Sequence, residues 1–199
     1  MTQPLILASA SPRRRDLLAQ IGIVPSQILA PNIDETPHRA ELPGPHAERL
    51  AIAKAQAIAA SNPGCFILAA DTVVGVGRRI LPKTEDEAAA KACLTLLSGR
   101  RHCVWGGIAL IDPAGRLRHR LVRTQVTFKR LSNLEHAAYL SSREWSGKAG
   151  GYAIQGAAAL FVRSIQGSHS NVVGLSLYDL GALLVGAGFA QVLPSFPKS

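Results

Sequence analysis

Aromatic residues and cysteine are both scarce in this sequence. Aromatics make up 5% of the 199 residues, which argues against a protein that binds single-stranded nucleic acid by stacking on the bases. Cys65, Cys93 and Cys103 are odd in number and lack the spacing of metal ligands. We therefore expect reduced, buried thiols in a cytoplasmic protein rather than a disulfide framework or a zinc site.

Long apolar runs and blocks of like charge are also missing. No run is long enough to cross a membrane, and the N-terminus lacks the zones of a signal peptide, so no membrane partner is expected. The net charge of +9 comes from 22 basic and 13 acidic residues, spread in small groups without a basic tail. Such a balance attracts polyanions, and it fits nucleic acid and nucleoside triphosphates equally well.

The order of apolar segments predicts one α/β domain over residues 1–199, with a loose tail at 188–199. The runs at 5–8 and 66–70 have the composition of buried strands, and the second continues past Asp71 as strand. Interleaved polar and apolar residues predict an antiparallel ribbon in the middle of the chain, from 102 to 131. The expected fold is thus a mixed sheet flanked by helices.

Helices are predicted between these strands. Apolar periodicity indicates helices over 47–60 and 88–97, and Thr84 with Glu87 has the spacing of a capping box for the second. Residues 157–162 form a further apolar run that predicts another strand.

The turn after the first strand is the first candidate binding site. Ser9 and Ser11 precede Pro12, a residue that is tolerated at the first helical position, so a helix N-terminus is expected there. Arg13, Arg14 and Arg15 follow at once. Cations at the positive end of a helix dipole indicate an anion site, and phosphate is the anion we expect there. The alternative is a surface helix whose arginines face solvent.

Asp71 is the sharpest single candidate for chemistry. It follows five apolar residues, and the sequence therefore predicts a carboxylate at the carboxyl end of a buried strand, where open α/β sheets bind ligands. There it can bind a metal or accept a proton from water. The alternative is an aspartate that caps a turn, and Thr72 beside it can be read simply as a strand former.

Acidic and basic residues elsewhere are weaker candidates. Asp34 and Glu35 stand in a proline-bounded loop and can be read as solvated acids or as oxygen ligands for a hard divalent cation. Lys54 and Lys83 can be surface lysines or can stabilise charge on phosphate oxygens. Gln155 lies in the glycine-rich stretch 147–156, where its amide can match a base edge; the alternative is a flexible surface loop.

Taken together, these motifs resemble the Maf family of nucleoside triphosphate pyrophosphatases, whose fold is similar to that of inosine triphosphatase (Ham1). The resemblance covers Leu5 to about Leu183, with several independent motifs in the family order. They are Ser9-x-Ser-Pro-Arg-Arg14, Asp34-Glu35, Lys54-Ala, Ala70-Asp-Thr-Val-Val74, Lys83, Ser98-Gly-Arg-x-His102, Lys148-Ala-Gly-x-Tyr-x-Ile-Gln-Gly156 and Asn171-Val-Val-Gly-Leu175.

The resemblance implies hydrolysis of a nucleoside triphosphate to monophosphate and pyrophosphate with a divalent metal, Mg²⁺ or Mn²⁺. It makes Asp71 the general base and, with Glu35, a metal ligand. It further implies a house-cleaning role in nucleotide metabolism and a homodimer. Two sets of residues follow from it: phosphate-binding Ser9, Arg13, Arg14, Lys54 and Lys83, and the residues Arg13, Thr72 and Gln155, which mark the branch that prefers dTTP and UTP.

The sequence departs from the family pattern at a few positions. Pro82-Lys-Thr84 stands where Gly-Lys-Pro is usual, so the loop that holds Lys83 is expected to differ in shape. Gly106 replaces a frequent threonine and Ser176 a frequent proline. None of these changes removes a proposed catalytic group, but each leaves room for a shift in base preference.

Three other functions are compatible with the sequence. One is a pyrophosphatase with broader, modified-nucleotide or 7-methyl-GTP preference. Another is a non-catalytic nucleotide sensor that regulates septum formation and cell division, a role also associated with the family. The third is a nucleic-acid binder, which rests on the net charge alone and lacks a recognised module; no stable nucleic-acid partner is expected.

Overall fold

We describe residues 4–189 in a computed structural model of the chain. Most of the predicted loose tail at 188–199 lies outside the described residues. Phe189 lies inside them and is buried, its ring edge-on to Phe66 with centroids 5.1 Å apart. The chain is therefore packed as far as residue 189.

Nine strands and six α-helices make up this part of the chain. The strands are β1 (Leu5–Ala8), β2 (Gln27–Ile28), β3 (Phe66–Val76), β4 (Arg79–Leu81), β5 (Lys83–Thr84), β6 (Arg101–Ile111), β7 (Leu117–Phe128), β8 (Lys148–Ala149) and β9 (Val162–Gln166). The helices are α1 (Pro12–Gln20), α2 (Pro43–Ala59), α3 (Glu87–Leu97), α4 (Asn133–Ser142), α5 (His169–Val173) and α6 (Leu177–Gly186).

A mixed seven-stranded sheet organises the fold, as the sequence predicts. Its order is β2-β1-β3-β6-β7-β9, with β4 also paired to β3. The pairs β1–β2 and β1–β3 are parallel, whereas β3, β6, β7 and β9 are antiparallel neighbours. The long β6–β7 pair is the predicted central ribbon.

One edge of β3 is only partly paired, and this gap forms the floor of a cleft. Strand β6 covers the other edge from Ile67 to Gly75. On the cleft side, β1 pairs with residues 66–69 and β4 with residues 74–76. Residues 70–73, which include Asp71, therefore lie between the ends of two partner strands.

Helices cover the sheet on both faces through apolar contacts. On one face, α2 packs Ala51 and Ala55 against Ile67 and Ala69. On the other face, α1 and α6 bury side chains such as Leu18 and Leu184 against β1 and β3. Helices α3 and α4 enclose a further core around Phe128, beyond the cleft. Successive residues of β3 point to opposite faces, so the strand can present side chains to two different helical layers.

Two local predictions are wrong. Thr84 does not cap α3: Asp86 does, since its side chain accepts a hydrogen bond from the Ala89 amide, and Thr84 belongs to β5. The predicted strand at 157–162 is a 3-10 helix over Ala157–Phe161, and β9 begins at Val162. The alanine run favours a helical turn over an extended chain, because alanine has no branched side chain to restrict it.

The structure bears on two further expectations, one about membrane-spanning segments and one about the burial of the cysteines. Within residues 4–189, no helix combines the length and apolar character that crossing a bilayer requires. All three cysteines are free thiols, and of the three only Cys93 is buried; Cys65 and Cys103 are half-buried, contrary to the prediction.

Candidate active site

A cleft of about 510 Å³ opens over the unpaired edge of β3. This volume is within the usual range for sites that bind small molecules. All nine predicted site residues line it: Ser9, Arg13, Arg14, Glu35, Lys54, Asp71, Thr72, Lys83 and Gln155. Asp34 and Arg15 do not line it. Asp34 instead accepts a hydrogen bond from the Thr36 amide, and Arg15 is exposed beside Asp16.

One wall of the cleft, which we call the arginine wall, consists of Ser9, Arg13, Arg14 and Thr72. Arg14 is only 8% exposed, and neutral oxygens hold its guanidinium. Its Nε donates to the Gly174 carbonyl at 3.0 Å, Nη1 donates to Ser9 Oγ at 2.8 Å, and Nη2 donates to Thr72 Oγ1 at 3.2 Å. Arg13 Nε donates to the Val173 carbonyl at 3.1 Å. The arginine wall is thus fixed by hydrogen bonds before any ligand arrives.

Neither arginine forms an ion pair within the described residues. Burial lowers the pKa of Arg14, and the charge of nearby Asp71 opposes that effect. A buried cation without a paired carboxylate is costly unless an anion or a dipole compensates it. Each guanidinium carries five N–H donors, and Arg14 uses only three of its five on the protein. The arginine wall therefore has donors and charge to offer an anion.

The opposite wall, which we call the lysine wall, consists of Glu35, Lys54, Asp71 and Lys83. Lys54 Nζ lies 2.6 Å from Asp71 Oδ1 and 2.5 Å from Glu35 Oε1, and Lys83 Nζ lies 2.5 Å from Glu35 Oε2. Burial raises the pKa of Glu35, but the hydrogen bonds and charges of the two lysines outweigh this and hold it at about 2. The charges of the lysine wall are therefore paired with one another.

Strand alternation places the two walls on opposite faces of β3. Asp71 points towards Lys54 on α2, and the next residue, Thr72, points towards Arg14 and Gly174. The prediction that the chain continues as strand past Asp71 is confirmed, but the placement of this residue at the carboxyl end of a strand is wrong: β3 runs from Phe66 to Val76, and Asp71 lies in its middle. It reaches the cleft because the neighbouring strand β1 ends at Ala8, opposite Ala69.

The loop that carries Glu35 is fastened to α2. Arg49 donates to both carboxylate oxygens of Glu41, at 2.7 and 2.8 Å, and to the Thr36 carbonyl at 3.1 Å. Glu41 also accepts from the His38 amide at 2.9 Å. Ala40, which precedes Glu41, has φ of +60°, a strained conformation for alanine. The hydrogen bonds that Glu41 accepts from His38 and Arg49 maintain this turn. This arrangement fixes the loop one residue from Glu35.

The departure from the family at Thr84 has a clear structural consequence. Its fully buried hydroxyl donates to the Trp145 carbonyl at 2.6 Å, and its carbonyl accepts from the Gly147 amide. Strands β5 and β8 pair Lys83 with Ala149. A proline at 84 has no hydroxyl to make the Trp145 bond, so this chain uses threonine to attach the Lys83 segment to the glycine-rich loop.

The glycine-rich loop closes the cleft. Gly150 has φ of +68°, and a Cβ there would lie 2.9 Å from Val74 Cγ1, so only glycine fits without displacement. Gln155 is exposed at the rim of the cleft. Tyr152 lines it from within, and its hydroxyl lies 2.8 Å from His102 Nε2. Burial lowers the pKa of His102 to about 4, so this histidine is neutral at pH 7.

Several contributors to the site were not assigned a role from the sequence. Lys148 lines the cleft, and burial followed by the charge of Arg13 lowers its pKa; its place in the cationic glycine-rich stretch was the available signal. The backbone carbonyls of Val173 and Gly174 hold the arginines. No sequence pattern identifies a backbone carbonyl that orients an arginine, because every residue has a backbone carbonyl.

The oxygen atoms of Glu35 and Asp71 are a suitable donor type for Mg²⁺ or Mn²⁺. Lys54 contacts both carboxylates, so both lie within reach of one cation between them. No group of three or more His, Cys, Asp or Glu residues suited to a metal occurs within residues 4–189. A divalent ion therefore needs ligands from elsewhere, and phosphate oxygens of a substrate can provide them.

Comparisons with known proteins agree with the motifs. Residues 4–187 match the family described as Maf-like protein. A protein of Paramagnetospirillum magneticum named dTTP/UTP pyrophosphatase is 66% identical over 94% of this chain and 98% of its own length. A Rhodospirillum rubrum protein of the same name is 63% identical over 94% of this chain and 89% of its own length. The solved structure of a HAM1 protein from Coxiella burnetii is similar in fold, with a TM-score of 0.51 at 15% identity, over 92% of this chain and 99% of that one.

Proposed function

This chain belongs to the Maf family, as the order of its motifs predicts, and we propose that it hydrolyses dTTP and UTP to the monophosphate and pyrophosphate. Relatives with 54–66% identity are named for this activity. Arg14 is the observation in the structure that carries the proposal. Its buried guanidinium, fixed by three neutral oxygens and without a paired carboxylate among the described residues, favours an anionic ligand.

The charge of the cleft supports a highly charged anion. Five cationic side chains line it, from Arg13, Arg14, Lys54, Lys83 and Lys148, against the two carboxylates of the lysine wall. A triphosphate chain matches this excess of positive charge, and arginine forks bind phosphate oxygens in pairs. In this proposal Ser9, Arg13, Arg14, Lys54 and Lys83 hold the phosphates.

Asp71 acts as the general base. Lys54 engages Asp71 Oδ1, and Asp71 Oδ2 has no hydrogen-bond partner within residues 4–189, so this second oxygen is available to a water molecule. The water oxygen attacks the α-phosphorus while its proton passes to Asp71, and the bond from the α-phosphorus to the bridging oxygen breaks. The pyrophosphate leaves with the bridging oxygen, and the cationic side chains neutralise the charge that develops on it.

The metal is part of the proposal. Glu35 and Asp71 would hold a divalent cation together with substrate phosphate oxygens. When bound, the ion would supply charge neutralisation on the phosphates. Lys54 and Lys83 would have to move away from Glu35 for the cation to bind, because they contact both of its carboxylate oxygens.

The proposed base preference rests on Arg13, Thr72 and Gln155. Gln155 at the rim offers both a donor and an acceptor to a base edge. Thr72 contacts Arg14 at 3.2 Å, which suggests that it influences specificity by setting the position of that arginine. A homodimer and a cytoplasmic location complete the proposal, and the first is measurable by light scattering in solution.

A nucleotide panel tests the proposed activity. The folded protein would be incubated with dTTP, UTP, CTP, purine triphosphates and 7-methyl-GTP, with magnesium, manganese or a chelator, and pyrophosphate release measured. We expect metal-dependent turnover concentrated on dTTP and UTP. Turnover of another base would retain the mechanism and overturn the specificity, whereas no turnover with any nucleotide would favour a nucleotide-sensing regulator.

A further inference from the structure

The arginine wall depends on a very short helix. Arg13 and Arg14 are oriented by the carbonyls of Val173 and Gly174, at the C-terminal end of α5. A helix of five residues has little stability of its own, so its position must come from tertiary contacts. The contacts that fix α5 therefore also fix the two arginines.

Asn171 supplies the central contact. Its side chain is fully buried, and its Nδ2 donates to Thr124 Oγ1 at 3.0 Å and to the Val104 carbonyl at 3.2 Å. Thr124 Oγ1 also accepts from the Ser168 amide at 3.2 Å, at the start of the same helix. Asn171 thus joins α5 to two strands, β6 and β7, directly behind the cleft.

Gly106 makes room for that asparagine. A Cβ at position 106 would lie 1.9 Å from Asn171 Oδ1, far inside contact distance. Oδ1 has no hydrogen-bond partner within residues 4–189, although it is buried. An unsatisfied buried oxygen destabilises the fold, and a polar side chain retained there needs an explanation.

We propose that Asn171 is a positioning residue for the phosphate-binding arginines, and in this chain its Oδ1 occupies the space that Gly106 leaves. Asn171 holds α5 against β6 and β7, and the carbonyls of Val173 and Gly174 then set the directions of Arg13 and Arg14. The inference rests on the proposed function, in which these arginines bind phosphate.

A double-mutant cycle with inorganic pyrophosphate as the probe tests this role. The variants are Asn171→Ala, Arg14→Gln and their combination, with calorimetric dissociation constants and KM and kcat for dTTP. We expect Asn171→Ala to weaken pyrophosphate binding about tenfold, because misdirected donors lose their contacts. In the Arg14→Gln background the same change is expected to have a smaller effect, about threefold, because Arg13 is then the remaining arginine that it misdirects.

Two control variants and one alternative variant complete the design. Asn62→Ala removes an asparagine amide bonded to the Ile58 carbonyl at 2.8 Å, away from the cleft, and Gly181→Ala adds a methyl with nothing within 4 Å; both are expected to bind as wild type. Gly106→Ala displaces Asn171 without removing it, and serves if Asn171→Ala fails to fold. Equal losses in both backgrounds, or unchanged binding in folded Asn171→Ala and Gly106→Ala, would overturn the inference.

The two proposals fail in different ways. Wild-type protein that binds pyrophosphate with the expected coupling but hydrolyses no nucleotide would overturn the proposed function alone. Wild-type turnover of dTTP together with additive losses in the cycle would overturn the positioning role of Asn171 alone.

Discussion

The two walls of the cleft contain similar charges in opposite states. In the arginine wall, neutral oxygens of Ser9, Thr72 and Gly174 hold Arg14, so its charge is unpaired within the described residues. In the lysine wall, Glu35 and Asp71 pair with Lys54 and Lys83 at 2.5–2.6 Å. One wall is fixed and offers charge to a ligand; the other is neutralised internally.

This difference assigns the walls different tasks. Donors that are already oriented bind a phosphate group without reorganisation, which favours affinity. The lysine wall must exchange its internal ion pairs for contacts to substrate and metal, and it contains the proposed base. We therefore expect changes in the lysine wall to affect turnover most and changes in the arginine wall to affect binding most.

The largest expected effect is that of Asp71→Asn. The amide cannot accept the proton of the attacking water, and general base catalysis contributes about 10²–10⁴-fold, so kcat should fall by that factor. Steady-state kinetics with dTTP measure it, and circular dichroism checks the fold. Retained turnover in a folded variant would remove Asp71 as the base.

A change in the arginine wall should mainly alter affinity. Arg14→Lys retains the charge but loses the planar fork, and hydrogen bonds to charged groups contribute about 1.5–3 kcal/mol, so KM should rise about 10–100-fold with a smaller change in kcat. The matched control is Arg15→Lys, at an exposed site beside Asp16. A KM for Arg14→Lys equal to that of the control would contradict the comparison.

Thr84→Val tests the link between Lys83 and the glycine-rich loop. It removes the hydroxyl bond to the Trp145 carbonyl, which still accepts from the Lys148 amide at 3.1 Å, so the cost is that of one hydrogen bond, about 0.5–1.5 kcal/mol, and Tm should fall by a few degrees. Thr95→Val removes an exposed hydroxyl that bonds only the Lys91 carbonyl in the preceding turn of α3, and should change Tm little. Calorimetry compares them, and equal melting temperatures would exclude the link.

The smallest expected effect is on stability in acid. The pKa of Glu35 is about 2 in the folded protein against 4.5 for a free glutamate, so its contribution is present above about pH 4.5 and is lost as the pH falls towards 2. Glu35→Gln should therefore flatten the loss of stability over this range, and Glu85→Gln, at an exposed site, should leave it unchanged. Denaturant titrations at several pH values measure the slopes; equal slopes for the two variants would refute the pairing.

Motifs predicted the membership of the site better than its geometry. Recognisable sequence motifs identify the nine predicted site residues, of which Ser9 is the first and Gln155 the last, and all nine line one cleft. The apolar run before Asp71 predicts a strand end there, although the strand continues to Val76. The gap in the pairing of β3 depends instead on where β1 and β4 end, which no local pattern specifies.

The wrong prediction at Thr84 has a similar cause. Thr84 has the spacing of a helix cap, yet its hydroxyl bonds a carbonyl 61 residues away, and Asp86 caps the helix. The alternation of Asp71 and Thr72 between two faces follows from strand geometry. Their partners come from distant elements: Lys54 of α2 for Asp71, and Arg14 of α1 with the carbonyl that follows α5 for Thr72. Long-range contacts of this kind decide the roles of residues that sequence alone can only nominate.

Hydrolysis of dTTP in water enriched with oxygen-18 tests the central claim most directly. Attack on the α-phosphorus places the heavy oxygen in the nucleoside monophosphate and none in the pyrophosphate, and mass spectrometry of the two products distinguishes them. Our account predicts label in the monophosphate alone. Label in the pyrophosphate, or release of orthophosphate with a nucleoside diphosphate, would contradict it.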